Sequence, residues 1–188
     1  MDDQLIWDEE GKKIVYTCPI FSVEERFCRA PAGKDHAGGP KTFTVLNTSD
    51  WAIVIPEIET PRGVAFVMVR QWRHGAKELS VEFPGGVFEK GENALEAAAR
   101  ELREETGYRA GKIEKIGEFN PNPAIMSNRV HFFLARNLEA PVAQELDEDE
   151  FVEVEIIPKE EVLGSLGKPP FIHALMGTAV GLYVTHQK

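Results

Sequence analysis

Short hydrophobic runs, broken by polar and turn-forming residues, fill the first part of the chain. Their weak alternation of apolar and polar positions, rich in Val, Ile, Thr and Phe, favours β-strands. The glycines and prolines of residues 30–40 predict a loop, and those of residues 60–63 predict a hairpin turn. The predicted strands are residues 13–18, 21–28, 41–46, 51–58 and 63–72.

Between Asn93 and Gly107 the apolar positions recur with the period of a helix. Asn93 can cap this helix while Glu96 reaches back from its third position, and Gly107 supplies a left-handed stop. We therefore predict a helix over residues 94–106. At about 100° per residue, its apolar stripe comprises Leu95, Ala98, Ala99 and Leu102, and a neighbouring face gathers Glu101, Glu104 and Glu105.

The rest of the chain mixes strands and helices. Strands are predicted over residues 112–119, 129–136 and 151–157. Helices are predicted over residues 159–166 and 171–186, on either side of a break at residues 167–170. His131, on the second of these strands, is interpreted as a structural histidine.

Composition narrows the possible functions. A chain of 188 residues with 43% apolar and 28% charged residues suits one soluble domain, without a membrane span. Its start is acidic and lacks the pattern of a secretory signal, so we expect a cytoplasmic protein in which Cys18 and Cys28 stay reduced. The net charge of -10 argues against a nucleic-acid partner. An anionic substrate is compatible with it, since a bound metal and a few arginines supply local positive charge.

Two interpretations of the three helix glutamates are open from periodicity alone. Acids on a helix commonly form a solvated face, particularly with Arg100 and Arg103 among them. Alternatively, like charges at these spacings repel one another, and a divalent cation would reverse that cost. Mg²⁺ suits a one-sided cluster because it binds a few carboxylates and keeps other positions for water and phosphate oxygens.

The spacing of the fixed polar positions distinguishes these interpretations. Gly86 is followed after five residues by Glu92, and seven more lead to Arg100-Glu101-Leu102, then Glu104-Glu105 and finally Gly107. This pattern resembles the Nudix box, and the chain looks like a member of the Nudix hydrolase family. Members cleave a nucleoside diphosphate linked to another group, using Mg²⁺ or Mn²⁺. Tyr108 departs mildly, standing where the family usually has an aliphatic residue.

The resemblance implies a fold and a metal site. The fold is an α+β Nudix sandwich, a mixed sheet between helices, with an antiparallel amino-terminal β extension. Residues 1–46 would form that extension and support a homodimer, and residues 47–188 would form the Nudix domain. The implied metal ligands are the carbonyl of Gly85 and the carboxylates of Glu101, Glu104 and Glu105, which Arg100 would orient.

The segment before the box suggests substrate contacts. Arg70, Trp72 and Arg73 stand together, and guanidinium groups bind phosphate while an indole stacks on a base. The alternative is a surface arginine pair with Trp72 in the core. The Gln-x-Arg segment of Gln71 and Arg73, followed by Glu-x-x-x-Gly from Glu82 to Gly86, resembles the ADP-ribose and nucleoside-diphosphate-sugar pyrophosphatase branch. By that resemblance Arg73 contacts substrate and Glu82 lies near the metal or substrate.

Two further loops carry candidates. Pro123 matches a proline of that branch, although Asn-Pro-Ala replaces the usual Ser-Pro-Gly. The acidic run of residues 144–150 is by composition a solvated loop. In the branch, however, a glutamate of this loop activates the attacking water, which here would be Glu150, with Glu148 second. Glu82 is a third candidate for this base.

The sequence therefore predicts hydrolysis of a nucleotide sugar such as ADP-ribose to a nucleoside monophosphate and a sugar phosphate. The alternatives are another Nudix reaction, on oxidised nucleoside triphosphates, coenzyme A or capped RNA, and a Nudix module that binds a nucleotide sugar without turnover.

Overall fold

A computed structural model describes residues 5–31 and 39–187. Most of the predicted loop over residues 30–40 lies outside the described residues, as do the first four residues. The chain forms two compact units. One comprises the chain up to Ser49 together with Asn120–Arg129, and the other comprises Asp50–Phe119 and the chain from Val130. The predicted division into residues 1–46 and 47–188 stays a prediction.

The first unit contains a three-stranded antiparallel sheet, in the order β1-β2-β3. Glu24 on the middle strand is buried and is neutralised by Lys12 at 3.0 Å and Arg26 at 3.2 Å. Cys18 and Cys28 are both free thiols, as expected. The strands are β1 (Asp8–Thr17), β2 (Ser22–Arg29) and β3 (Lys41–Asn47).

The second unit is built on a mixed seven-stranded sheet, whose main path runs β10-β5-β4-β9-β8. Strands β4 and β9 pair in parallel and the other pairs are antiparallel, with β6 paired to β5 and β7 to β4. The strands are β4 (Trp51–Thr60), β5 (Gly63–Arg73), β6 (Glu78–Glu82), β7 (Gly85–Val87), β8 (Ala110–Phe119), β9 (Val130–Leu138) and β10 (Glu153–Pro158). The helices are α1 (Ala94–Thr106), α2 (Lys159–Ser165) and α3 (Ala174–His186).

Alternating side chains of the central strands form a core on each face of this sheet. On one face, Val54 and Val67 pack with Ala98 and Leu102 of α1. On the other, Phe66 and its neighbours pack with residues of α2 and α3. This arrangement confirms the predicted sandwich of a mixed sheet between helices. In the described part of the chain, no helix is long and apolar enough to cross a membrane.

Helix α1 has the predicted bounds, but its predicted buried face is wrong in part. Leu95 and Ala99 are exposed, whereas Ala97 is buried beside Ala98 and Leu102. The reason is that the helix turns two glutamates, not only apolar residues, toward the sheet. A prediction from hydrophobic periodicity places acidic residues on the solvent side of a helix. It therefore identified the buried face of α1 only in part.

Other boundaries differ because tertiary pairing decides them. Strand β7, which was not among the predicted strands, forms because Gly85 and Gly86 pair with β4. Strand β10 begins at Glu153, because Phe151 is 83% exposed and outside the sheet. Helix α3 begins at Ala174 rather than residue 171. The segment before it forms turns instead, and places Phe171 in the core.

Candidate functional site

The ends of helix α1 are fixed by the residues that the sequence indicated. The Asn93 side chain accepts hydrogen bonds from the backbone N–H groups of Leu95 and Glu96, and the Glu96 side chain accepts one from the Asn93 backbone. Gly107 is left-handed, with φ of 73°, and its N–H donates to the carbonyl of Arg103. Such caps contribute about 0.5–2 kcal/mol each. The glutamates of the helix therefore occupy defined positions.

Two of these glutamates are buried where α1 lies against β7. Glu105 is 4% exposed and accepts a 2.8 Å hydrogen bond from the N–H of Gly85. Glu101 is 9% exposed, and its carboxylate occupies the space that a side chain at Gly86 would need. The glycine pair thus allows close approach of the helix carboxylates to the strand. Glu104 is less buried than either of them.

Arg100 connects the acidic groups around this site. Its Nε donates to Glu92 at 2.9 Å, and its Nη2 donates to Glu92 and to the carbonyl of Val87. Its Nη1 lies 2.9 Å from Glu101 and also 2.9 Å from Glu104. The hydrogen bond that Arg100 donates to Glu92 is the main cause that raises the pKa of Arg100. Arg100 therefore supplies a counter-charge to Glu101 and Glu104.

Burial and mutual repulsion nevertheless disfavour the charged forms of two carboxylates in the site. Burial is the main cause that raises the pKa of Glu101 to about 7, against the opposing effect of Arg100. Burial, then the charge of Glu101, raises the pKa of Glu105 to about 8, and the Gly85 N–H only partly offsets this. The negative charge of Glu150 adds to both shifts.

The donor chemistry of the site fits a divalent cation. Carboxylate oxygens are the ligands that Mg²⁺ and Ca²⁺ prefer, and a cation would relieve the repulsion between Glu101 and Glu105. Arg100 Nη1 already pairs with one carboxylate oxygen of Glu101 and one of Glu104. Within residues 5–31 and 39–187, no three His, Cys, Asp or Glu side chains converge as a ready ligand set. The fit thus rests on the buried carboxyl groups of Glu101 and Glu105 rather than on a formed ligand cage.

A second ion pair lies on the β5–β6 hairpin. Arg73 donates from Nε and Nη2 to both oxygens of Glu82, at 2.9 and 2.6 Å. Burial acts to raise the pKa of Glu82, but the Arg73 pair outweighs it and the pKa is lowered. His173, just before α3, has its Nδ1 3.6 Å from the same carboxylate. Burial lowers the pKa of this histidine, although Glu82 acts in the other direction.

A cavity of 460 Å³ opens beside this ion pair. Trp72 is 49% exposed, so the alternative that placed it in the core is wrong. Arg70, in contrast, is hydrogen-bonded through its Nε to Glu155 on β10. The side chains that line the cavity include Trp72, Arg73, His74, Ser80, Ile172 and His173.

The remaining candidates occupy loops. Glu148 and Glu150 are exposed, and Glu150 belongs to a turn in which its N–H donates to the carbonyl of Asp147. Pro123 is exposed and belongs to the first compact unit.

His131, on β9, lies 3.0 Å from Asp50 and packs on the ring of Phe88, in agreement with a structural role.

Comparison with known proteins identifies the family. The family model for the NUDIX domain matches residues 49–175. The chain belongs to the Nudix family. Nudix hydrolases are generally dependent on a divalent metal, which agrees with the donor chemistry of the α1 carboxylates.

Individual relatives agree with this assignment. An ADP-ribose pyrophosphatase of Bacillus subtilis is 46% identical over 98 residues, which are 52% of this chain and 53% of the relative. The match therefore spans about half the length of that relative. An ADP-ribose pyrophosphatase of Saccharomyces cerevisiae is 34% identical over 163 residues, which are 81% of this chain and 70% of the relative.

The fold agrees with a solved structure. A crystal structure described as an ADP compounds hydrolase superimposes with a TM-score of 0.80 and covers 96% of this chain and 95% of its own. At 22% identity this likeness concerns the Nudix fold alone.

Three residues that contact the candidate site were not among the site residues predicted from the sequence. Glu92 holds Arg100 and could have been included from its fixed place in the Nudix box. His173 approaches Glu82 from the start of α3, and no local pattern indicated it. Gln144 hydrogen-bonds the end of α1 across a long sequence separation, which the composition of an acidic loop does not reveal.

Proposed function

We propose that this Nudix protein hydrolyses the pyrophosphate bond of nucleoside diphosphate sugars of the ADP-ribose class. Water would add to one phosphorus while the bond to the bridging oxygen breaks, giving a nucleoside monophosphate and a sugar phosphate. The observation that supports this best is the pair of buried carboxylates, Glu101 and Glu105, on the side of α1 that lies against β7. The two relatives described as ADP-ribose pyrophosphatases support the substrate class.

The α1 carboxylates would hold the metal. Glu101, Glu104 and Glu105, with the carbonyl of Gly85, are the proposed ligands, and Mg²⁺ is the proposed ion, with Mn²⁺ as a substitute. Bound there, the ion would offset charge on the diphosphate and lower the pKa of a water molecule. Arg100 would keep the carboxylates oriented through its hydrogen bonds, as groups behind metal ligands commonly do.

Glu150 is the proposed general base. It lies in an exposed turn, where its Oε2 accepts a 3.3 Å hydrogen bond from the N–H of Asp147, and its other oxygen can accept the proton of the attacking water. Glu148 is the second candidate. Glu82 is the weakest of the three, because Arg73 engages both of its oxygens.

Arg73 and Trp72, at the end of β5, are the proposed substrate contacts. Arg73 uses two of its three nitrogens on Glu82, and the third, Nη1, is then a donor for phosphate or sugar oxygens. The indole of Trp72 offers a face for stacking at the 460 Å³ cavity. Arg70 is a weaker candidate because Glu155 holds it. We also propose Pro123 as a substrate-binding residue, because it matches a proline of the nucleotide-sugar pyrophosphatase branch.

A homodimer is the proposed assembly. The first unit exposes large hydrophobic side chains that a second copy could cover, in agreement with an interface role for residues 1–46. We further propose a cytoplasmic protein without a nucleic-acid partner, in line with its net charge of -10. The exposed hydrophobic residues of this unit include Leu5, Ile6, Trp7, Ile14, Val15, Tyr16, Ile20 and Phe43.

A substrate panel tests the proposal. Purified protein with Mg²⁺ is incubated with ADP-ribose, other nucleotide sugars, coenzyme A and oxidised nucleoside triphosphates, and the phosphate-ester products are separated by chromatography. We expect the highest kcat/KM with a nucleotide sugar, and paired monophosphate products. Preferred turnover of coenzyme A or a triphosphate would replace the proposed substrate class, and binding without turnover would indicate a recognition module.

A further inference from the structure

The side chain of Gln144 joins two backbone segments at the edge of the candidate site. Its Nε2 donates to the carbonyl of Glu105 at 2.6 Å and to the carbonyl of Val152 at 3.2 Å. Glu105 lies in the last turn of α1, where carbonyl groups lack partners within the helix. Val152 immediately precedes β10. Both amide hydrogens of Gln144 therefore have acceptors, one on each segment.

These hydrogen bonds close the base of the acidic loop. Before the loop, the chain is held to α1 by the N–H of Val142 on the carbonyl of Gly107 and the N–H of Glu145 on the carbonyl of Glu104. After the loop, β10 is fixed by its ladder with β5. Gln144 connects these two anchors across the loop. The intervening residues, 145–151, form a short loop tied at both ends.

The loop carries the proposed base. Glu150 stands two residues before Val152, and its N–H closes a turn by donating to the carbonyl of Asp147. Gln144 thus bonds the backbone of Glu105 on α1 and the backbone of Val152, which follows the turn that contains Glu150. Loss of this bridge would let residues 145–151 move relative to α1. Misplacement of a reacting group by about 1 Å can cost about 100-fold in rate.

We propose that Gln144 is a positioning residue that holds the loop of Glu150 against α1. This inference rests on the proposed function, since it assigns Gln144 to the same reaction. The role requires two N–H donors at the end of a side chain of this length. Methionine has nearly the same length and no donor, and glutamate has the same shape and no donor.

The test is a double-mutant cycle between Gln144→Met and Glu150→Gln. With Mg²⁺ and the preferred nucleotide sugar, we expect Gln144→Met to lower kcat about tenfold or more while KM changes less than about twofold, as for groups that support catalytic residues. In the Glu150→Gln background the same substitution should have almost no further effect, because its partner in the reaction is already gone. The matched control is Gln187→Met, at an exposed position after α3, which should retain full activity.

Several outcomes would overturn the proposal. Equal kcat losses in both backgrounds would show that Gln144 acts independently of Glu150, and an unchanged kcat in Gln144→Met would show that it does not act at all. If the Met variant fails to fold, Gln144→Glu takes its place in the cycle.

If the wild type hydrolyses no substrate of the panel, the proposed function fails, and amide hydrogen exchange still decides the positioning role. Faster exchange of residues 145–151 in Gln144→Met than in wild type would support the bridge, with the core strands unchanged. Equal exchange in the two proteins would refute it.

Discussion

Replacing Arg73 by Met should destabilise the protein through the carboxylate that it leaves behind. Glu82 is 3% exposed, and Arg73 supplies two hydrogen bonds to it. Breaking a fully buried ion pair from one side costs about 3–5 kcal/mol. Because the Arg73 side chain is 41% exposed, solvent screens part of this pair and we reduce the expectation to about 2–3 kcal/mol. For a chain of this size that is a fall of about 5–10 °C in Tm.

The loss of stability in Arg73→Met should depend on pH in a defined direction. In the wild type the pKa of Glu82 is lowered, so the pair stabilises the fold above the unfolded pKa of about 4.5 and loses its effect as the pH falls through the folded value. Without Arg73, burial would dominate and raise the folded pKa of Glu82. The difference in unfolding free energy between wild type and variant should therefore be largest at neutral pH and shrink below about pH 4.5.

Urea unfolding followed by far-UV circular dichroism at pH 7 and pH 4 measures both effects. Arg62→Met, in the exposed hairpin turn, is the matched control and should change stability by less than about 0.5 kcal/mol. Adding Glu82→Gln to Arg73→Met should recover about 1 kcal/mol or more, since the unpaired charge is removed. An Arg73→Met loss as small as that of the control, or one that grows toward acid pH, would refute the reasoning.

Three other changes test separate parts of the site. Glu150→Gln should lower kcat by about 100-fold with little change in KM, and Glu148→Gln should do less; steady-state kinetics that reverse this order would move the base to Glu148. Gly86→Ala should lower activity, because its methyl group overlaps the Glu101 carboxylate, and an unaltered kcat/KM would show that Glu101 can shift freely. Deleting residues 1–46 should convert a dimer to a less active monomer, whereas a fully active monomer in sedimentation analysis would contradict the proposed interface.

Local signals in the sequence were sufficient for α1. The Asn93 and Glu96 cap, the helical period and Gly107 all act within one segment, so they predicted both ends of the helix. They were not sufficient for its rotation about its own axis. That rotation depends on Gly85 and Gly86 of β7. Because Gly86 has no side chain, the Glu101 carboxylate can lie where a Cβ atom would otherwise be. Burial of a glutamate therefore could not be read from hydrophobic periodicity.

Contacts between distant segments were beyond the sequence patterns. His173 meets Glu82, and Gln144 meets Glu105 and Val152, only after the sheet and helices have assembled. The order of the sheet likewise depends on the parallel pairing of β4 with β9, which no local turn dictates. The family resemblance predicted the sandwich and the candidate loop of Glu150, but not the hydrogen bonds that fix that loop.

Hydrolysis of ADP-ribose by wild type and Glu104→Gln, with Mg²⁺ or with EDTA, tests the central claim most directly. The exposed Glu160→Gln on α2 is the matched control. We predict AMP and ribose 5-phosphate from the wild type and the control with Mg²⁺, no turnover in EDTA, and kcat at least about 100-fold lower in Glu104→Gln. Full activity in EDTA, or an unaltered kcat in Glu104→Gln, would contradict a metal-dependent pyrophosphatase built on the carboxylates of α1.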